Sequence, residues 1–489
     1  MKSKTPFLTG FSTSLCGSAK RNLQECIRRR RRDLAQGCLG AFARQFSDIV
    51  APETLESLAG DARKRVFCSP VTFWAWLSQI LAQNDSCSAA VSRVQSWCAE
   101  GGLPLPSSAT TAYCKARLRL GLDFIASVNE GVVGRMDRST SSGDLYRGMV
   151  VKSVDGSSVQ LMDTADNQAK YPQPSNQKAG CGFPVMKFVG VLNHAHGAWE
   201  KHLTATCYEK DPITMRRMLD HFGDRTLLLA DRAFCSFEII ARLLERGTHS
   251  LMRLHQMREK GYTLRKGKRI GKNQRLVTWK KPATKPGTTD LDDEQWSALP
   301  DTLEMRMIVF WYEDREGGGK RMILATTLLD HEEYDWTEMA DLYASRWDIE
   351  LRLRDVKTTL GMEALNVKTP AMAHKSLEMA LLGYNLIKAT CQRGAQRVGI
   401  SWKEVSFKGT LDALQSLENL FHAAAIKSGR QLGKAADRML EIVGTKLIDV
   451  RPNRWEPRMQ KKRPKPLPFL DRPRQVYKTL RKSGKLLPA

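Results

Sequence analysis

GMVVKSVDGSSVQLMD (148–163), FPVMKFVGVLN (183–193) and HLTATCYE (202–209) follow one another, each with the alternation or dense apolar run of a β-strand. Beyond them the pattern turns to helix and strand in succession: PITMRRMLDHF (212–222), RTLLLAD (225–231), FEIIARLLERG (237–247) and HSLMRL (249–254). Runs of strands followed by alternating strand and helix predict a mixed sheet with helices packed on it, an α+β or mixed fold class.

On the N-terminal side, residues 1–140 read as a helical domain, because apolar residues recur every three to four positions in VTFWAWLSQILAQ (71–83) and LGLDFIASVNEGVV (120–133), and DNA binding is expected of it from its basic short helix. Pro106, Ser107 and Ser108 supply a cap before ATTAYCKARLRL (109–120). The cations of that short helix, Lys115, Arg117 and Arg119, suit a DNA groove and equally suit a solvated surface. Residues 141–253 form the first part of the core. Residues 254–321, rich in Lys, Gly and Thr, read as a β-rich insertion with strands RLVTWKK (275–281) and EMRMIVFWYE (304–313). RMILATTLL (321–329) resumes the main sheet. The span 322–450 then supplies the rest of the core and the C-terminal helices, with long helices expected from about Trp336 to Leu360 and from Ala373 to Arg393.

The last segment, 451–489, holds 13 Lys or Arg, two acids and seven prolines, a composition that builds little core and fits a basic arm lying along phosphates. Arg28 to Arg32 form another basic run, and for both stretches a merely solvated segment is the alternative. The whole chain of 489 residues carries a formal net charge of +25, an excess that calls for a polyanionic partner, with nucleic acid ahead of a membrane surface. No apolar stretch approaches the ~20 residues of a membrane span, and the N-terminus lacks the apolar run of a secretion signal, so a cytoplasmic protein is expected. Eleven cysteines without a C-x-x-C pair argue for reduced thiols and against a disulfide framework or zinc ribbon.

The strongest local signal is LYASRWDIELRLRDVK (342–357). On a regular helix Tyr343, Arg346, Glu350 and Lys357 fall within an arc of roughly 60°. A solvated face with Arg346 and Glu350 paired at i,i+4 has the same spacing, but four residue types at four set positions rarely coincide. Two aspartates stand on strands elsewhere. Asp155 sits in VVKSVDGSSV, where Gly156 leaves room for a close approach, and Asp231 ends the buried run LLLA. Two such aspartates and a helical glutamate make an oxygen-donor cluster suited to Mg²⁺ or Mn²⁺. Two ions ~3.5–4 Å apart would activate the attacking oxygen and stabilise the leaving one.

The chain here resembles the insertion sequence 4 family of DDE transposases, whose third acid lies in a Y-x2-R-x3-E-x6-K signature. The resemblance covers most of the chain, including DGSSVQLMDTADNQAKYPQPSNQKAGCGFPVMKFVGVLN, LLLADRAFCS and the full signature from Tyr343 to Lys357. It implies a ribonuclease H-like core and metal-dependent cleavage and strand transfer, through a triad of Asp155, Asp231 and Glu350 holding two Mg²⁺ or Mn²⁺ ions. Tyr343, Arg346 and Lys357 match signature residues that hold the DNA backbone. The implied partners are transposon-end and target double-stranded DNA, with a homodimer on DNA. Some relatives that form a hairpin carry a base-stacking tryptophan 28 residues before the glutamate. Met322 stands there in this chain, with Trp279, Trp296 and Trp311 as possible substitutes.

Other residues carry weaker signals. His194 and His196 make an H-x-H pair without a matching ligand set, and Asp163, Asp166 and Glu209 read as turn caps, Asp163 being the first substitute for Asp155. Two other functions stay open on sequence grounds: a catalytically retired DNA-binding protein, and a metal-dependent nuclease that does not join strands.

Overall fold

The alternation read at 148–209 becomes three antiparallel strands, β1 (Val150–Leu161), β2 (Val185–Asn193) and β3 (Trp199–Thr206). The helix–strand succession that follows adds β4 (Thr226–Ala230) and β5 (Thr248–Arg253), both parallel to β1, with helix Phe237–Glu245 crossing between them. The structure, a computed structural model, describes residues 38–59, 65–82, 85–260, 267–313, 319–418, 420–421, 429–449 and 469–483. Arg28 to Arg32 and the part of the C-terminal arm at 451–468 lie outside the described residues.

Four further strands, β6 (Lys268–Gly271), β7 (Gln274–Lys280), β8 (Thr302–Glu313) and β9 (Gly319–Thr326), continue the same sheet, and β10 (Ala364–Leu365) pairs with β1. The order is β3-β2-β1-β4-β5-β9-β8-β7-β6. Its first five strands have a mixed order, β3-β2-β1 antiparallel and β1-β4-β5 parallel. The insertion lengthens that sheet, because β9 pairs antiparallel with β5 through Leu251–Thr326 and Arg253–Leu324. Arg306 fastens it. This fully buried guanidinium donates to Gln274 Oε1 at 2.9 Å, to the Asp330 carbonyl at 2.9 Å and to the Tyr334 carbonyl at 2.7 Å.

The period of two along β4 sorts its side chains between two cores. Leu228 and Ala230 join Val154, Val189, Met215, Ile239 and Ile240 on one face, whereas Leu227 and Leu229 join Val151, Met339 and Tyr343 on the other. Helix Phe237–Glu245 starts at Ser236, whose hydroxyl accepts from the Ile239 amide, and buries Ile239, Ile240 and Leu243 completely. Each such side chain contributes roughly 1.5–3 kcal/mol, so truncating Ile240 would loosen the β4–β5 crossover.

The described residues group into two units. One joins Cys38–Arg138 to Asp355–Met362 and to the helices from His374 to residue 449; the other comprises Ser139–Arg354, Glu363–Ala373 and the segment from 469. In the helical unit, Asn129 donates to Glu378 and accepts from Asn385 at 2.8 Å, and Gln45 donates to the Leu414 carbonyl. N-terminal and C-terminal helices thus share one core.

The expected helix from Trp336 to Leu360 is broken. It comprises Trp336–Ala344, a 3-10 turn Ser345–Trp347, Asp348–Arg354 and a π turn Asp355–Thr359 closed by the Leu360 amide on the Asp355 carbonyl. The wider π turn changes the angular step, so the regular-helix arc does not extend past Arg354. The second long helix is Pro370–Val398, longer than the expected span. Among the described residues no helix is long and apolar enough to cross a membrane.

Candidate active site

β1 and β4 run in parallel register, Val151 beside Leu227 and Ser153 beside Leu229. Two residues beyond that last pair stand Asp155 and Asp231, one on each chain. β4 ends at Ala230, and Asp231 opens a 3-10 turn (Arg232–Phe234) without making a side-chain capping bond. β1 instead runs on to Leu161 beside β2. The parallel pairing therefore stops at Ser153 and Leu229, at the carboxyl end of β4, where strand order reverses and open sheets leave a crevice.

Helix Asp348–Arg354 packs on β1, and the turn before it aims Arg346 at both neighbouring acids. Arg346 Nη1 lies 3.9 Å from Asp155 Oδ2, and Nη2 lies 3.7 Å from Glu350 Oε1. Both separations exceed hydrogen-bond length, so the guanidinium faces the acids without being locked to either. Its side chain is only 7% exposed, and its Nε is buried without a hydrogen-bond partner. Glu350 is 43% exposed and Asp155 25%.

Burial pushes the Asp155 carboxyl up to about 6; the Gly156 amide (2.8 Å) and Arg346 pull it down, and the charges of Glu350 and Asp211 push it up. Such a carboxylate is under-compensated. The donor set is all oxygen, and a hard divalent cation would supply the missing positive charge, so the residues fit Mg²⁺ or Mn²⁺. Asp155, Asp231 and Glu350 do not bring carboxylate oxygens all within 4.8 Å of one another, so one ion could not touch all three in this arrangement.

Tyr343 departs from expectation. Its ring is 3% exposed and its hydroxyl donates to the Ala230 carbonyl at 3.3 Å, so here it faces the core and not solvent. It fastens the signature helix to the end of β4, beside Asp231. Burial drives its phenol up to about 12. Lys357 is half-buried in the π turn that groups with the helical unit. Arg117 is a second correction: it is buried, stacks over Trp76 at 4.3 Å and donates to Cys87 Sγ at 3.4 Å. Residues two apart point to opposite sides of a helix, so Lys115 and Arg119 are exposed and Arg117 turns inward.

Asp211 was missed. Any Cβ at Gly156 would meet its carboxylate at 2.5 Å, and Lys187 Nζ pairs with it at 2.5 Å. An acid opening a short helix carries no signal of its own in the sequence. Asp163 accepts from Gln168, Glu209 pairs with Thr214 and Arg217, and Asp166 sits in the first turn of helix Ala165–Lys170. His194 and His196 are buried, with His194 Nε2 bonded to Ser153 Oγ and His196 Nδ1 accepting from the Ala198 amide. Met322 pairs across from Phe310 in β9; Trp279 and Trp296 are buried in the core, and Trp311 is 68% exposed.

Residues 146–386 match the transposase DDE domain family, a span holding Asp155, Asp231 and the entire signature. The chain is 22% identical over 436 residues to the transposase InsG for insertion sequence element IS4 of Escherichia coli (strain K12), covering 86% of this chain and 92% of that one. The piggyBac transposase synaptic complex with hairpin DNA, solved by cryo-electron microscopy, aligns over 83% of this chain and 85% of its own, at 8% identity and a TM-score of 0.38. The chain thus carries a match to the transposase DDE domain over residues 146–386 and is similar along most of its length to the transposase of an insertion sequence 4 element.

Proposed function

We propose that Asp155, Asp231 and Glu350 are the catalytic carboxylates and the ligands of two Mg²⁺ or Mn²⁺ ions, acting on transposon-end and target double-stranded DNA. The observation that carries this reading is that Asp155 and Asp231 each follow the last parallel pair of β1 and β4 by two residues, while Arg346 faces both Asp155 and Glu350. When bound, the ions supply Lewis acidity and charge neutralisation at the phosphate.

The chain's own residues do the rest. Asp155 is held within β1, and Asp231 stands directly after β4. Arg346, unlocked from both acids, offers its fork to a phosphate oxygen, a geometry lysine cannot reproduce. Tyr343 ties helix Trp336–Ala344, which leads into the turn and helix bearing Arg346 and Glu350, to the end of β4. Lys357, Lys115 and Arg119 would add backbone contacts, and the basic arm from Arg451 would add sequence-independent ones. A homodimer on DNA, excision followed by reinsertion, and a cytoplasmic location complete the reading.

The test is incubation of the purified protein with its flanking terminal repeats and Mg²⁺, mapping both cut and joined ends. Joined products are expected. Cutting without joining indicates a nuclease, and binding without either indicates a retired enzyme.

A further inference from the structure

The helical unit holds two thiols that strand cutting and joining do not use. Cys87 is the first residue of helix Cys87–Glu100, Cys114 lies in the first turn of Thr111–Arg119, and the two helices pack together. The two thiols share a hydrogen bond. Both are half-buried, unlike the enclosed Cys98, Cys235 and Cys391. The Cys87 sulfur also accepts from Arg117 Nη1 at 3.4 Å and from Gln79 Nε2 at 3.8 Å. Gln79 is itself held by the Tyr113 hydroxyl at 2.8 Å, and Arg117 by its stacking on Trp76. Four side chains thus hold the Cys87 sulfur in place, removing part of the rotamer search that sulfur–sulfur bond formation needs. Partial exposure admits a small oxidant.

We propose that Cys87 and Cys114 are a reversible dithiol–disulfide pair, a peroxide-sensitive modification site in the helical unit. Hydrogen peroxide converts the Cys87 thiol to a sulfenic acid and is reduced to one water. The Cys114 sulfur then attacks the Cys87 sulfur, expelling the hydroxyl as a second water, so the two thiols together lose two electrons and two hydrogens. A thiol reductant returns both through a mixed disulfide. The bond would tie the helix bearing Lys115 and Arg119 to Cys87–Glu100, and would change the acceptor beside Arg117, whose Nε is already buried without a partner.

The test uses the full-length protein, reduced, freed of reductant, exposed to graded hydrogen peroxide, blocked with N-ethylmaleimide and mapped by mass spectrometry without further reduction. A Cys87–Cys114 linked peptide is expected, with maleimide label lost from both positions and regained after dithiothreitol. Cys114→Ser should abolish the link and leave a sulfenic acid on Cys87 that dimedone traps. Retention of label on both thiols at peroxide levels that oxidise other cysteines overturns the proposal, as does linkage of either to a different cysteine. The wild-type chain carries the primary readout, so the test does not depend on the variant folding.

Discussion

Asp155 on β1 and Glu200 on β3 are buried carboxylates of the same sheet, and their surroundings drive them in opposite directions. Burial alone would raise Glu200, but it accepts from His221 Nε2 at 2.8 Å, pairs with Lys152 Nζ at 2.8 Å and accepts from Asn193 Nδ2 at 2.7 Å, which together bring it down to about 2. Asp155 has one backbone amide and a distant guanidinium, faces two further acids and is raised to about 6. A carboxylate with its partners built in is part of the scaffold. One whose partners fall short is poised for a cation from outside, and the fold bears the cost.

The comparison breaks most decisively on activity. Asp155→Ala, Asp231→Ala or Glu350→Ala should each lower cleavage of transposon-end DNA by roughly a thousandfold or more, while gel-shift affinity changes little. Glu200→Ala should leave residual cleavage in the fraction that stays folded. Cleavage surviving in Asp231→Ala would remove that residue from the site.

On stability the order reverses. Glu200→Ala strands a buried lysine and should cost about 3 kcal/mol, read from a urea titration. Glu200 lies below its ordinary 4.5, so its contribution is present above that pH and lost as pH falls towards about 2. Asp155 lies above its ordinary 3.8, so the fold favours its protonated form and stability is gained as pH falls from about 6 towards 4. A Glu200→Ala protein as stable as wild type at pH 7 would undo the contrast.

Arg346→Lys keeps the charge and loses the fork. Single-turnover cleavage of pre-bound DNA should fall about tenfold in molecules shown by thermal melting to be folded, since an ammonium cannot reproduce the two-pronged contact. A wild-type rate would return Arg346 to a structural role.

The smallest effect is also the most diagnostic. Asp155→Asn should raise stability at pH 8 by about 1–2 kcal/mol, and the gain should vanish near pH 4, where the wild-type carboxyl is already protonated. Mg²⁺ should raise the melting temperature of the wild type and not of this variant. A pH-independent gain would show that packing, not charge, sets the Asp155 environment.

Much of this was legible in the chain. Period-two runs became β1 to β3, the alternation of helix and strand became the parallel β4 and β5, and the Y-x2-R-x3-E-x6-K spacing located Arg346 and Glu350, because these features are local and a strand or helix repeats within a few residues. Which faces are buried was not local. Tyr343 and Arg117 read as outward groups, yet the sheet end claimed one and Trp76 the other, since an aromatic ring or guanidinium beside an unfilled core is worth more buried than solvated. The π turn after Arg354 and the approach of Asp211 to Gly156 likewise depend on segments far apart in the chain. The sequence by itself determined the strand and helix pattern on which the proposed acids stand, through residue type and period. Only the tertiary structure decided that β1 and β4 pair so that Asp155 and Asp231 follow the same last pair, because strand pairing across 76 residues is set by packing between distant segments.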